Sequence, residues 1–194
     1  GAIVEHIDSA GVHSGDAMMC IPPWRLSNKI IETINDYTKK IALTFNVKGP
    51  FNLQFLIHDD HVYVIELNIR ASRSMPFVSK LVKTNLISLA SKAILDKPLP
   101  KIPENKWQKI HNYGIKVPQF SFMQLDGADI ALGVEMQSTG EAACFGNSFY
   151  DALSKGLTSV GYNLPDKGTA LVTAGGSQNK EKLLPSIAKL KQLG

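Results

Sequence analysis

Apolar side chains recur at every third or fourth position between residues 30 and 45, which is the spacing of one face of an α-helix. Ser27 stands just ahead of this run and is of a type that commonly caps a helix N-terminus. Gly49 and Pro50 then end the pattern. The sequence therefore predicts a helix that begins after Ser27 and packs on a sheet. Its apolar positions are Ile30, Ile31, Ile34, Tyr37, Ile41 and Phe45.

Beyond Pro50 the period changes from helical spacing to alternation. Residues 51–57 and 61–68 both read as β-strands, and the two aspartates between them are typical of a turn. The sequence therefore predicts an antiparallel hairpin. Alternate residues of a strand project from the same face, so we expect Glu66 and Asn68 to point the same way, together with Val62 and Val64.

The length of the turn decides whether Gln54 shares this face, because residues opposite each other in an antiparallel pair lie on the same side of the sheet. A two-residue turn pairs Gln54 with Ile65, which points the other way. A three-residue turn over residues 59–61 pairs Gln54 with Glu66. We predict the three-residue turn.

Gln54, Glu66 and Asn68 would then form a site of oxygen donors alone, which suits Mg²⁺ or Mn²⁺ better than zinc. Magnesium usually keeps several waters or takes phosphate oxygens, so the pattern implies a nucleoside triphosphate as the source of the missing ligands. A polar sheet face turned to solvent explains the same residues, and it is the commoner case when nothing else is known.

Two arginines follow this face directly, in the string Glu-Leu-Asn-Ile-Arg-Ala-Ser-Arg at residues 66–73. The planar guanidinium groups of Arg70 and Arg73 match the oxygens of phosphoryl or carboxyl groups. Each arginine alone is explained as readily by a surface ion pair. Their clustering beside metal-type ligands favours a phosphoryl-transfer site.

Composition is that of a globular protein, with 44% hydrophobic and 20% charged residues in 194. The longest apolar runs fall far short of the roughly 20 residues that span a bilayer, and the acidic residues Glu5 and Asp8 do not match the pattern of a signal peptide. Cys20 and Cys144 are too few for a disulfide framework, which favours the cytoplasm. The net charge of +4 is dispersed, so the sequence gives no support for nucleic-acid binding.

Short segments rich in proline or glycine divide the chain into residues 1–98, 99–166 and 167–194. The first stretch has the densest alternation of helix and strand signals. The second mixes short strands with a helix that begins near Ser148. The third reads as a strand, a glycine turn and a helix.

These motifs carry a resemblance to a known family. Gly-Pro-Phe-Asn-Leu-Gln-Phe at residues 49–55, with the string at residues 66–73, is similar to the metal-binding hairpin of ATP-grasp enzymes, and most similar to carbamoyl-phosphate synthase. Residues 5–16 resemble the nucleotide-binding stretch of that family. Val-His-Ser-Gly-Asp at residues 12–16 and Pro-Phe-Val-Ser-Lys at residues 76–80 resemble the second of the two synthetase halves of its large subunit.

The resemblance implies an α+β fold. Residues 1–98 would be the C-terminal lobe of an ATP-grasp domain, an antiparallel sheet with packed helices. Residues 99–166 would complete the synthetase half and connect it onward, since Met-Gln-Ser-Thr-Gly-Glu at residues 136–141 is similar to the string at that junction. Residues 167–194 would begin an α/β regulatory domain similar to methylglyoxal synthase, present here as its first β-α unit.

The implied reaction is the phosphorylation of carbamate by ATP to carbamoyl phosphate and ADP, for pyrimidine and arginine biosynthesis. Two ions, Mg²⁺ or Mn²⁺, would be held, one by Gln54 and Glu66 and the other by Glu66 and Asn68. Arg70 and, more weakly, Arg73 would neutralise carbamate or the transferred phosphate. The adenosine end of ATP would lie against Gly11, Val12, His13 and Ser14.

The resemblance also implies what accompanies this segment. An upstream lobe that closes over ATP should precede residue 1, so we expect the segment alone to lack turnover. A glutaminase subunit or domain is the expected partner, and the regulatory domain could support a homo-oligomer.

Two other interpretations stay open. One is another ATP-grasp carboxylate or carbamate ligase, such as a relative of biotin carboxylase. The other is a non-catalytic regulatory protein derived from an ATP-grasp lobe. His13 has a plain alternative role as well, because in a glycine-rich turn it can simply bond a local backbone group.

Overall fold

The computed structural model describes residues 1–102, 110, 112–163, 165, 167–174 and 177–193. These residues form two compact units, residues 1–160 and residues 161–194. The first unit combines helices with antiparallel strands, so the predicted α+β class is confirmed. The strands of the described residues are β1 (Glu5–His6), β2 (Met19–Ile21), β3 (Asn52–His58), β4 (His61–Asn68), β5 (Tyr113–Gln119) and β6 (Gly140–Gly146).

Five α-helices lie in the described residues: α1 (Asn28–Thr44), α2 (Ser74–Leu81), α3 (Leu86–Ile94), α4 (Phe149–Ser159) and α5 (Ser177–Leu193). The predicted cap of α1 is confirmed, since the Ser27 hydroxyl accepts the backbone N–H of Ile30 at 3.4 Å. Ile30 and Ile34 are buried and α1 contacts β4. Phe45 belongs to the predicted apolar face but lies at the helix end, 63% exposed. The helix predicted near Ser148 is α4, and Ser148 caps it.

A four-stranded antiparallel sheet in the order β1-β2-β5-β6 organises the first unit. The side chains of neighbouring residues in β2 point to opposite faces of the sheet. Cys20 packs with Ile115 and Val117 of β5 in the core under α4, whereas Ile21 packs with α2 in a second core. The sheet is therefore covered by α4 on one side and α2 on the other, which fixes the position of the loops at its edge.

Strands β3 and β4 form a separate two-stranded sheet. The predicted three-residue turn is wrong, because His58 pairs with His61 across a two-residue turn. Asp59 and Asp60 both have positive φ, 47° and 60°. Such a pair is typical of the type I′ turn, whose twist matches that of a hairpin. Because both aspartates adopt the positive φ angles that a type I′ turn requires, the hairpin closes with the two-residue turn.

The pairing of Gln54 with Glu66 is nevertheless present. The register shifts at a β-bulge, since Phe55 pairs with Val64 and Gln54 pairs with Glu66, which leaves Ile65 as the extra residue. The bulge also corrects the predicted faces. Val64 and Val62 pair with Phe55 and Ile57, on the side opposite the one that Glu66 shares with Gln54, so neither valine accompanies Glu66.

The second unit, residues 161–194, contains α5. The predicted strand before it is not found among the described residues 167–174, since a strand needs a hydrogen-bonded neighbour and this segment has none there. Apolar side chains of α5 remain exposed, with Leu184 at 60% and Leu190 at 52%. No helix within the described residues is long and apolar enough to cross a membrane.

Candidate phosphoryl-transfer site

The hairpin places a set of oxygen donors on one side of its sheet. Gln54 lies opposite Glu66 and Asn52 lies opposite Asn68, and each pair shares a face. Residues 52 and 54, like residues 66 and 68, are two positions apart, so the four side chains project in the same direction. Gln54, Asn68 and Asn52 are half-buried and Glu66 is exposed. The three predicted metal ligands are therefore brought together.

These donors fit a hard divalent cation. They supply one carboxylate and carboxamide oxygens, and no sulfur or imidazole. In the described part of the chain, no cluster of three His, Cys, Asp or Glu side chains could hold a metal by itself. A single carboxylate among neutral oxygens matches a site that is completed by the phosphate oxygens of a bound nucleotide.

A second group of candidate residues lies in the loop over residues 7–18, which joins β1 to β2. The backbone N–H of Ile7 donates to the Met18 carbonyl at 2.8 Å, and the Asp8 carboxylate accepts the Met18 N–H at 2.6 Å. These two bonds close the base of the loop. Gly11 has a φ of 103°, a left-handed conformation that glycine adopts without strain.

His13 holds the inside of this loop. Its Nδ1 accepts the backbone N–H of Gly15 at 3.0 Å, so its Nε2 carries the ring proton in this arrangement. Its carbonyl accepts the N–H groups of Asp16 and Ala17 at 2.8 Å and 3.1 Å. The local backbone role considered for His13 is thus present. It leaves Nε2 available to a ligand.

Lys116 supports the loop from the sheet. Its side chain is 5% exposed, and its ammonium group donates to the carbonyls of Gly15 and Ser14 at 3.2 Å and 3.5 Å. Glu141 lies 3.3 Å from the same nitrogen. Burial lowers the pKa of Lys116, and the Glu141 carboxylate opposes that shift. The cation orients two loop carbonyls toward the sheet.

A further segment, residues 133–138, is hydrogen-bonded to the loop, and we call it the strap. The His13 N–H donates to the Gly133 carbonyl at 2.8 Å. The carboxylate of Asp16, 1% exposed, accepts the backbone N–H groups of Gln137 and Ser138, both at 2.9 Å. Burial alone would raise the pKa of Asp16, but hydrogen bonds from Ser138 and Gln137 hold it below its usual value.

The two arginines have different surroundings. Arg70 is exposed and donates to the neighbouring Ala71 carbonyl at 3.1 Å. Arg73 lies at the N-terminus of α2, and its Nη2 donates to the Met136 sulfur at 3.2 Å. Phe77 of α2 packs in the core with Ile21. The sheet therefore fixes the start of α2 and brings Arg73 to the strap.

The predicted residues thus fall into two groups. The hairpin gathers Gln54, Glu66 and Asn68, while Arg73 meets the loop through the strap. Arg73 is only five positions beyond Asn68, a span of at most about 18 Å. Sequence reasoning missed Asn52, although its spacing of two from Gln54 was a usable signal.

Solved structures share this architecture. The ADP complex of purK, an N5-carboxyaminoimidazole ribonucleotide synthetase, has a TM-score of 0.58 at 15% identity, over 82% of this chain and 43% of that one. The biotin carboxylase subunit of pyruvate carboxylase has a TM-score of 0.58 at 13% identity, over 77% of this chain and 43% of that one. The fold is that of the ATP-grasp proteins.

Sequence similarity specifies the family. Residues 3–102 match the family described as carbamoyl-phosphate synthase L chain, ATP binding domain. Multifunctional protein pyr-3 of Neurospora crassa is 48% identical over 192 residues, 99% of this chain. The carbamoyl phosphate synthase large chain of Sulfurisphaera tokodaii is 48% identical over 196 residues, 100% of this chain. The chain belongs to the carbamoyl-phosphate synthase large-chain family.

The chain spans a small part of these relatives, 10% of the Neurospora protein and 18% of the Sulfurisphaera protein. Within it, residues 3–102 correspond to the family's ATP binding domain.

Proposed function

We propose that this chain supplies one wall of an active site that transfers the γ-phosphoryl group of ATP to carbamate and forms carbamoyl phosphate and ADP. The observation that carries the proposal is the position of Gln54 opposite Glu66, with Asn68 two residues further along the same face. Membership of the carbamoyl-phosphate synthase family supports the choice of carbamate as acceptor.

In the proposed site, Gln54 and Glu66 would hold one Mg²⁺ or Mn²⁺, and Glu66 and Asn68 would hold a second. A bound divalent cation supplies positive charge against the phosphate oxygens of ATP. Gln54, Glu66 and Asn68 project from one face of the hydrogen-bonded hairpin, so the strands hold these donors side by side before an ion binds. Preformed donors lower the ordering cost of binding.

The remaining residues position the reactants. Gly11, Val12, His13 and Ser14 lie against the adenosine end of ATP, in a loop whose carbonyls Lys116 turns toward the sheet. A carbamate oxygen attacks the γ-phosphorus, the bond to the bridging oxygen breaks, and ADP leaves. Negative charge accumulates on the peripheral oxygens in this transfer, and the guanidinium groups of Arg70 and Arg73 stabilise it.

The wider setting of the reaction is also part of the proposal. The upstream lobe of the ATP-grasp domain covers the other side of the nucleotide, so the chain alone binds ATP weakly and does not turn over. Nitrogen reaches the enzyme through a glutaminase subunit or domain, the full protein forms homo-oligomers through its regulatory domain, and the product serves pyrimidine and arginine biosynthesis. Free Cys20 and Cys144 are consistent with the cytoplasm.

Calorimetry on this chain tests the metal site. Mn²⁺ is titrated in the presence and absence of ATP, with Glu66→Ala compared against Glu32→Ala, which removes an exposed carboxylate from α1. We expect ATP-dependent binding that Glu66→Ala abolishes and Glu32→Ala retains. ATP-dependent binding that is measurable and equal in the two variants would show that the hairpin is not the metal site, and if the wild type shows no binding, the same comparison is made in the full-length enzyme.

A further inference from the structure

The strap joins two parts of the site that are distant in sequence. Its Met136 lies against Gly15 of the loop, where an added Cβ would stand 2.9 Å from the Met136 sulfur. The same sulfur accepts a hydrogen bond from Arg73 Nη2 at 3.2 Å. One flexible thioether therefore contacts both the 7–18 loop and the guanidinium group.

Thioether sulfur is a weak acceptor, so this contact alone cannot hold a guanidinium group in place. The position of Met136 depends on what fixes the strap. Met136 itself is 42% exposed and contributes little burial. The residues that follow it, Gln137 and Ser138, are instead held through their backbone N–H groups by Asp16.

Asp16 is suited to that task. Its side chain is 1% exposed, and each carboxylate oxygen takes one backbone N–H at 2.9 Å. Hydrogen bonds to an ionised, buried acceptor are stronger than those between neutral groups. The Ser138 hydroxyl adds a bond to the Gly15 carbonyl at 3.3 Å, which Lys116 also contacts. Several hydrogen bonds thus join the strap to the 7–18 loop next to Met136.

We propose that Asp16 is a positioning residue for the phosphoryl-transfer site: it pins the strap across the 7–18 loop, so that Met136 places the Arg73 guanidinium group. Displacing the loop therefore displaces Arg73. This inference rests on the proposed function, because it assumes that Arg73 contacts the phosphoryl acceptor and that the loop contacts ATP.

The test uses the full-length enzyme and the reverse reaction, formation of ATP from ADP and carbamoyl phosphate. Met136→Ala should raise the KM for carbamoyl phosphate about tenfold and leave the KM for ADP nearly unchanged, since misplacement by 1 Å can cost up to about 100-fold. Met136→Leu keeps the bulk and should recover most of this loss. Asp16→Asn should raise both KM values, because it loosens the loop as well as the strap.

The double variant Asp16→Asn/Met136→Ala shows whether the two substitutions act on the KM through the same contact or independently. If Asp16 acts on Arg73 through Met136, the KM for carbamoyl phosphate in the double variant should not exceed that of the more affected single variant. Additive effects would overturn the proposal. So would variants that lower only the melting temperature and leave both KM values at the wild-type level.

Arg73→Ala distinguishes this proposal from the function on which it rests. If Arg73→Ala leaves the KM for carbamoyl phosphate and kcat unchanged, the role assigned to Arg73 in the proposed function is wrong. If Arg73→Ala impairs the reaction while Met136→Ala does not, the proposed function stands and the positioning role of Asp16 is wrong.

Discussion

Gln54 lies directly opposite Glu66 although the two-residue turn between their strands would, in a regular hairpin, place Gln54 opposite Ile65. The bulge at Ile65 absorbs one residue and restores the alignment. Ile65 is 60% exposed, so its side chain gives little packing in return. The alignment of the proposed metal ligands on one face of the hairpin thus depends on one extra residue in β4.

Deletions within β4 test this dependence. Removing Ile65 leaves a regular hairpin in which Gln54 still pairs with Glu66, so Mn²⁺ affinity in the presence of ATP should change by no more than about threefold, the range of ordinary context effects. Removing Leu67 instead turns Asn68 to the opposite face and should abolish binding of a second ion. Calorimetric stoichiometry reports both results, and circular dichroism verifies that each variant is folded.

Loss of binding in the Ile65 deletion, with a folded hairpin, would show that the bulge itself shapes the site rather than merely setting its register.

Gly156 marks the closest approach of α4 to the sheet. A Cβ at this position would lie 2.6 Å from Val117 Cγ2. Glycine to alanine usually stabilises a helix interior by up to about 1 kcal/mol. Here overpacking should dominate, and Gly156→Ala should destabilise the chain by about 1–3 kcal/mol. Thermal unfolding measures the change.

The matched control is Gly140→Ala, whose Cβ would meet only ordinary contacts with Gln119, at 3.8 Å and beyond. Its melting temperature should stay close to that of the wild type. Equal effects of the two substitutions would contradict the close packing of α4 on β5.

Asp16 should make stability depend on pH in a defined direction. Its pKa in the folded chain is lower than its ordinary value of 3.8. Its contribution is therefore fully present above that ordinary value and is lost as pH falls through the lower folded pKa. At pH 7, Asp16→Asn should cost about 1–3 kcal/mol, because one strap N–H loses its acceptor.

Denaturant unfolding of the wild type and Asp16→Asn at several pH values measures this difference. The difference in unfolding free energy between the wild type and Asp16→Asn should become smaller as the solution is made more acidic than the ordinary pKa of aspartate. A gap that is constant with pH would show that the charge of Asp16 does not contribute.

Lys116 should matter more for nucleotide binding than for folding. Lys116→Met keeps the stem of the side chain and removes the cost of burying a charge. Its partner Glu141 is 42% exposed and stays solvated, so the unfolding free energy should change by less than about 1 kcal/mol. The Ser14 carbonyl loses its cation, and ATP affinity should fall severalfold. Lys39→Met removes an exposed lysine of α1 and should leave both quantities unchanged. A large loss of stability in Lys116→Met alone would assign Lys116 a structural role instead.

Local patterns gave much of the fold. The helical spacing with Ser27 gave α1, and Ser148 gave the start of α4. The hairpin and the shared face of Glu66 and Asn68 also followed from period and turn residues. The turn and bulge did not, because a three-residue turn without a bulge and a two-residue turn with one give the same pairing at Gln54.

The contacts of the strap could not be predicted from the sequence for a different reason. Asp16 meets Gln137 and Ser138 across more than 120 positions of sequence, and nothing in the spacing of either segment signals the contact. Met136 is flagged only as part of a motif that resembles a domain junction. Placing it against Arg73 requires the packing of α2 and β5 on β2, which is a property of the assembled core.

The most direct test of the account is the formation of ATP from ADP and carbamoyl phosphate by the full-length enzyme with Glu66→Gln, which keeps the size of the side chain and removes its charge. We predict that this substitution reduces the rate by at least about 100-fold, on the scale of losing one electrostatic contact to the transition state, while Glu32→Gln retains wild-type activity. Wild-type rates in the Glu66→Gln enzyme would contradict the placement of phosphoryl transfer at this hairpin.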